Sequence, residues 1–453
     1  MTKSLTEDVV LAAPPPVGFW EAFRLWLKLG FIGFGGPAGQ IALMHRELVE
    51  QRRWISERRF LHALNYCMLL PGPEAQQLAT YMGWLMHRTW GGIVAGTLFL
   101  LPGLGFLILL SWLYIAYGDT ALVAGLFYGI KPAITAVVVQ AVHRIGSRAL
   151  KNGLMWAIAA GAFVAIFAMN VPFPAIVAGA ALIGYIGGRV TPDKFRAGGG
   201  HSSSADKSYG PALIDDDTPT PEHARFRWTG LLRVAIAGVL LWLIPMALLT
   251  AGYGWNHTLT QMGWFFTKAA LLTFGGAYAV LPYIYQGAVG HYAWLTPTQM
   301  IDGLALGEAN PGPLIMVVAF VAFVGAYVQA LFGPDMLFVA GAVAAALVTW
   351  FTFLPSFIFI LAGGPLVEST HDKLHFTAPL TAITAAVVGV ILNLAVFFAY
   401  HVLWPEGLAG RFDWMSALIA LGAAVALFRF KRSVIQVIAA CAVVGLILRT
   451  LTL

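Results

Sequence analysis

Two carboxylic acids sit beside the same tripeptide in this chain. Glu74 follows Pro71-Gly72-Pro73, and Glu308 and Asn310 stand just before Pro311-Gly312-Pro313. In apolar surroundings a carboxyl group that is ionised and neutral by turns is a proton carrier, and an ionisable residue inside a membrane segment is a functional hypothesis by default. Glu74 also has a plain role, since an acid in the first turn of a helix complements its dipole. Three lysines, Lys28, Lys131 and Lys268, fall in apolar stretches, where each can help neutralise an anion. For Lys28 the plain alternative is a side chain that snorkels to the membrane surface. Gln40, Asn65, Gln76 and Gln77 offer amide donors to an oxyanion or to a neighbouring helix.

The backbone between these side chains points the same way. Phe34-Gly35-Gly36-Pro37 and Phe274-Gly275-Gly276 interrupt runs that otherwise read as membrane helix, because glycine weakens a helix and proline removes a donor. Non-helical backbone at membrane depth is tolerated where it is buried in protein or lines a wet cavity. A helix that restarts after a break presents N–H groups and a positive dipole end, which together bind anions. Pro37 and Pro73 suit the first turn of such a helix, where a missing donor matters little. Gly35, Gly36 and Gly72 let the backbone approach a ligand closely, and Gly275, Gly276, Pro311, Gly312 and Pro313 repeat the device. The competing reading is that the glycines serve tight helix packing.

The elements that carry these residues are set by composition. The 453 residues are 59% hydrophobic and 11% charged, with a mean hydropathy of +0.77, and several apolar runs reach the length of about 20 residues that crosses a bilayer. The fold class is therefore an all-α polytopic membrane protein. The net charge of +6 lies mostly in short loops, as membrane topology demands, and does not suggest nucleic acid. The N-terminus, interrupted by acids and three prolines, does not read as a signal peptide. Cys67 and Cys441 make no disulfide framework. No phosphate loop, Ser/His/Asp order or zinc spacing stands out. No cofactor, no metal and no catalysis are expected. The acidic run Asp215–Asp217 reads as solvated rather than as a cation site.

An internal repeat organises the whole. Phe34-Gly35-Gly36 recurs 240 positions later at Phe274-Gly275-Gly276, Trp54 at Trp294, Pro71-Gly72-Pro73 at Pro311-Gly312-Pro313, and Lys28 at Lys268. The loop after the first break holds Arg46, Arg52, Arg53, Arg58 and Arg59, whereas the matching loop of the second copy, from Tyr285 to Gln299, holds no Lys or Arg. The positive-inside rule then puts the two loops on opposite sides, and the copies form an inverted-topology repeat of the kind common in secondary transporters. Residues 1–188 are the first copy, 189–229 a cytoplasmic linker whose Gly, Ser, Pro and charge predict disorder, 230–255 a connecting span, and 256–453 the second copy. The count is about thirteen hydrophobic segments, with a cytoplasmic N-terminus and a periplasmic C-terminus. Each broken segment is either a re-entrant hairpin or one kinked span.

The stretches "WLKLGFIGFGGPAGQIALMHRELVE", "RRWISERRFLHALNYCMLLPGPEAQQLATYMGW" and "LTFGGAYAVLPYI", with "GEANPGPLIMVVAFVAF", resemble the chromate ion transporter family in its long, two-domain form. The resemblance covers both halves. It implies an inner-membrane exporter of chromate, an oxyanion shaped like sulfate, driven by the proton motive force. The expected partners are chromate or sulfate, protons and the lipid bilayer, with no nucleic acid; a homodimer stays open, as do a sulfate transporter and a passive oxyanion channel. The expected site lies between the glycine–proline breaks of both copies, aided by Lys28 or Lys268, with Glu74 or Glu308 taking up a proton as the anion leaves. The second copy departs from the pattern at Ala277, where the first has Pro37, and at Leu314, where the first has Glu74. The halves are therefore expected to contribute unequally.

Overall fold

The protein is seen in a computed structural model that describes residues 14–118, 120–195, 209–369 and 377–452. Helix α1 (Phe19–Ile32) and helix α2 (Gly36–His45) flank the first break. At about 1.5 Å per residue they are about 21 and 15 Å long. They form a hairpin. Glu21 at the start of α1 pairs at 3.3 Å with Arg52 beyond α2, and Lys28 pairs at 2.7 Å with Glu47. Entry and exit therefore share one face. Helix α3 (Glu57–Leu69) and the first arm of α4 (Glu74–Tyr117) make a second hairpin across Pro71-Gly72-Pro73. The chain reverses inside α4 at His87 and Arg88, where the backbone leaves helical geometry, and the His87 ring lies 2.9 Å from the Val17 carbonyl. Both hairpins thus return to the face that carries the arginine loop, called the basic face below.

Residues 89–117 then cross to the opposite face. Helices α5 (Ala121–Ala149), α6 (Gly153–Phe167) and α7 (Phe173–Val190) cross in turn, and α8 (Trp228–Tyr253) carries the chain over once more. The second copy starts from that opposite face. Its hairpins are α9 (Thr258–Leu271) with α10 (Ala277–Tyr285), and α11 (Pro297–Glu308) with α12 (Val317–Val328). The long helices α13 (Leu337–Ser369) and α14 (Thr377–Leu403) follow, then α15 (Trp414–Phe428) and α16 (Val434–Thr452). The Thr258 hydroxyl bonds Gln329 at 2.6 Å, which joins the start of one hairpin to the end of the next as Val17 and His87 do in the first copy.

The backbone repeats in detail. Each first hairpin ends in a π-helical turn, Arg46–Gln51 and Gln286–His291, followed by a positive φ at Arg53 and Ala293. The turn after α6 has a positive φ at Asn170, and the turn after α15 has one at Lys431. The two copies are also interleaved. Helices α6 and α7 pack on α14, while α15 and α16 pack on α5. At these crossings a Cβ on Gly129 of α5 would lie 1.8 Å from the Cys441 carbonyl oxygen and 2.9 Å from Gly445, and a Cβ on Gly184 of α7 would lie 2.6 Å from the Ala378 carbonyl oxygen. Small residues allow this approach, as is usual between membrane helices. Gly445 corresponds to Gly184 and Ala378 to Gly129, so α5 maps onto α14 with a shift of 249. The repeated tetrapeptide Ala133–Ala136 and Ala382–Ala385 keeps the same register.

The linker departs from its expected disorder over the residues that are described. Residues 209–227 lie on the arginine loop. Ile214 forms a parallel bridge with Ile55, the Ser56 hydroxyl donates to Asp216 at 2.6 Å, and the His223 ring sits 3.0 Å from the Trp84 carbonyl. Asp215 accepts from the amides of Ala212 and Asp216. The acidic run thus spends two carboxylates on folding the linker. Its composition is polar enough for disorder, but Ile214 and Ala224 bury themselves against the first copy. Residues 196–208 of the same linker lie outside the described residues.

Candidate functional site

The four breaks meet at the centre of the molecule. The Gly72 amide donates to the Thr273 carbonyl at 2.8 Å, and the Gly312 amide donates to the Gly33 carbonyl at 3.1 Å. Gly33 and Thr273 are themselves 240 positions apart, so the two bonds are the same bond made twice. Both donors need a φ near +130° (129° and 130°), a conformation that favours glycine. These two amides are therefore committed to protein and do not face a ligand.

The nearby glutamines each spend an amide hydrogen on protein as well. The amide nitrogens of Gln40 and Gln77 donate to the carbonyls of Gly33 and Pro71 at 2.8 and 2.9 Å, and that of Gln76 donates to the Thr80 hydroxyl at 3.0 Å. Their unpaired atoms are the three side-chain oxygens, which accept hydrogen bonds and offer nothing to an anion. Asn310, 2% exposed, keeps both its oxygen and its nitrogen unpaired.

Beside this junction a cavity of about 1060 Å³ opens toward the basic face. Three helix starts border it: Pro37 and Ala38 of α2, Glu74 of α4, and Gly275 to Tyr278 leading into α10. No side chain caps any of the three; the starts of α2 and α10 have no acid in their first turn, and that of α4 has Glu74. Arg144 and Arg148 of α5 form another wall, with Lys151 and Lys194 toward the mouth. Neither arginine belongs to an ion pair among the described residues. The Arg144 guanidinium lies 5.9 Å from the Tyr278 ring centre, and both arginines act electrostatically on Glu74. Acids gather at the mouth, where His45 is held between Glu50, at 3.1 Å, and Glu57. Helix starts and guanidinium groups facing one open chamber are the parts of an oxyanion site.

Toward the opposite face the chamber is closed. The Tyr278 hydroxyl donates to the buried Glu308 carboxylate. Behind them Tyr285 packs on Phe397 with ring centres 4.3 Å apart, and Ile301, Leu304, Leu394 and Phe398 are buried.

The residues expected from the sequence divide into three groups. Pro37, Glu74, Gly275 and Gly276 line the chamber. Gly35, Gly36, Gln40, Pro71, Gly72, Pro73, Gln76, Gln77, Glu308, Asn310, Pro311, Gly312 and Pro313 belong to the break junctions behind it. The three lysines stand elsewhere, and this corrects the expectation that they gather on the anion. Lys28 is spent on Glu47. Lys131 pairs with Asp302 at 3.5 Å, and Asp302 also accepts from Tyr114 at 2.8 Å. Lys268 lies 5.5 Å from the Trp264 ring centre, a cation–π contact. Arg144, Arg148 and Tyr278 were the residues missed. Arg144 and Arg148 stand four apart, on one face of a helix, and that spacing was the available signal; in the sequence they serve equally well as topology markers.

Comparison with known proteins agrees with the duplicated architecture. A family profile described as "Chromate transporter" matches residues 20–185 and 260–446, one block in each copy. The chain is 33% identical over 429 residues to a chromate transport protein of Pseudomonas aeruginosa, covering 91% of this chain and 92% of that protein. It is 28% identical to a chromate transport protein of Cupriavidus metallidurans, with 93% and 91% covered, and 26% identical to a probable chromate transport protein of Synechococcus elongatus, with 91% and 92% covered. No solved structure matches the chain.

Proposed function

The chain belongs to the chromate transporter family, and from that premise we propose that it exports chromate, or sulfate of the same tetrahedral dianionic shape, across the bacterial inner membrane. The basic face is cytoplasmic, the N-terminus lies inside and the C-terminus outside. The observation that carries this reading is the chamber in which Arg144 and Arg148 face three uncapped helix starts. A dianion entering from the cytoplasm exchanges water for guanidinium and backbone N–H donors, which are strongest against a charged acceptor. Each elementary charge moved through the membrane potential is worth about 2.3 kcal/mol per 100 mV, so a potential negative inside drives a dianion outward.

Glu74 sets the proton linkage. Its carboxylate and the dianion compete for the same two arginines. A bound dianion takes up the arginines and repels an ionised carboxylate beside them, so the loaded carrier favours neutral Glu74. Proton uptake thus accompanies anion binding, the reverse of the sign expected from sequence. One negative charge still moves outward per cycle, and the potential still drives export.

Everted vesicles given labelled chromate test the proposal. Accumulation should require a membrane potential and be inhibited by sulfate. Accumulation that persists when both the potential and the pH gradient are collapsed contradicts it.

A further inference from the structure

The chamber has a closed counterpart. On the basic side its wall includes Leu61, Leu64 and Met68 of α3 and Ile145 and Arg148 of α5. The inverted positions are Ile301, Leu304 and Glu308 of α11, 240 residues later, and Leu394 and Phe397 of α14, 249 residues later. In the first copy these faces stand apart and enclose the cavity. In the second they are packed together: Ile301, Leu304 and Leu394 are 1%, 1% and 2% exposed, and Tyr285 lies on Phe397. The same backbone thus occurs once open and once shut, about one centre.

Resting on the export reading above, we infer that the seam between α10–α11 and α14 is a second, periplasm-facing chamber that opens as the first closes, and that its side chains are built to release an oxyanion. The chemistry at the matched positions is reversed. Asn393 and Phe397 stand where the first copy has Arg144 and Arg148. Glu308 stands where it has Met68, and Tyr278 where it has Ala38. The chamber that captures the anion presents two guanidinium groups. The chamber that releases it presents a carboxylate, a phenol and an aromatic wall at the same places. An anion carried to the second chamber loses its ion-pair partners and meets like charge, so it leaves. External anion meets the same wall and is poorly captured. The consequence is an asymmetry of apparent affinity between the two faces; the equilibrium itself stays with the membrane potential.

Two measurements test this, starting from a chain in which Cys67 and Cys441 are Ser and transport is retained. With Leu304→Cys added, an impermeant thiol reagent should label from the periplasmic side only, and with Met68→Cys, at an exposed position of the open chamber, from the cytoplasmic side only. With Tyr285→Cys and Phe397→Cys added instead, oxidation should stop net flux and reductant restore it. Labelling of Leu304→Cys from the cytoplasm, or full flux with the seam cross-linked, overturns the second chamber. Both readouts hold for any transported ion, so they survive a failure of the chromate assignment. The release chemistry has its own test. Half-saturating chromate should be about ten-fold higher for uptake into right-side-out vesicles than into everted ones, and Phe397→Arg should narrow that gap. Equal values at the two faces, or a gap that Phe397→Arg leaves unchanged, overturn the release role.

Discussion

Around Gly72 and Gly312 the two copies have one backbone and two chemistries. Each glycine has a φ near +130° and donates to a carbonyl of the other copy. Yet Gln40, Gln77 and Glu74 in the first copy correspond to Val280, Val317 and Leu314 in the second, and Met68 corresponds to Glu308. The lesson is a division of labour. Backbone symmetry supplies a junction that both halves must share, because each half satisfies the buried carbonyl that the other leaves open. Side chains, free of that constraint, differ between the halves, and in the proposed cycle they give capture to one half and closure to the other.

The comparison breaks most severely if charge in the first copy is dispensable. Arg144→Gln combined with Arg148→Gln should reduce the initial rate of chromate uptake by everted vesicles to background, while Asn393→Ala at the matched place in the second copy should leave it within about two-fold, as expected of a change that removes no charge. Next in size is Glu74→Gln. It should keep chromate-for-chromate exchange, lose most net flux, and remove the rise in chromate affinity that the proposed linkage predicts for wild type as pH falls; Leu314→Met in the second copy should change none of these.

The glycines sharpen the comparison through stability. Gly72→Ala and Gly312→Ala both place a side chain at a positive φ, which costs about 1–3 kcal/mol. At Gly72 the new Cβ would also lie 2.4 Å from the Ser356 hydroxyl and 2.6 Å from the Gln77 amide, whereas at Gly312 the nearest atom is 3.7 Å away. Thermal midpoints in detergent should fall for both variants, and further for Gly72→Ala. Smaller still are the lysines. Lys28→Gln and Lys268→Gln should each retain about half or more of the wild-type rate, since the buried Glu47 carboxylate keeps Arg52 at 3.4 Å when Lys28 is lost and a cation–π contact contributes about 1 kcal/mol.

The linker gives the smallest effect and belongs to one copy only. Burial holds the His223 ring below the usual histidine pKa, against the opposing pull of its bond to Trp84. A lowered value means that docking favours the neutral ring. Docking should be firm above the ordinary histidine range and should loosen as pH falls through the lowered one. Limited proteolysis of the linker should therefore accelerate between about pH 7.5 and pH 5, and His223→Ala should remove that dependence.

What the sequence made legible was whatever repeats or counts charge. Matches such as Trp54 with Trp294 exposed the duplication, and the contrast between the arginine loop and its neutral counterpart implied inversion. Hairpins and kinked spans stayed equivalent until Glu21 met Arg52, because that pair joins residues 31 positions apart. The arginine chamber was hidden for the same reason. Arg144 and Arg148 reach the start of α10 only through the interleaved packing of α5 and α14, which no local spacing reports. The lysines misled because their partners, Glu47, Asp302 and Trp264, are ordinary residues until the fold brings them close. The linker misled because composition measures average polarity, and a few apolar side chains were enough to dock it.

The central claim is that the arginines of the first copy, and not the three membrane lysines, hold the anion. Equilibrium binding of chromate to the purified protein tests it directly, comparing Arg144→Gln/Arg148→Gln with Lys28→Gln/Lys131→Gln/Lys268→Gln. Binding should be lost in the arginine variant and retained within a few-fold in the lysine variant. Retention by the arginine variant with loss in the lysine variant contradicts the account.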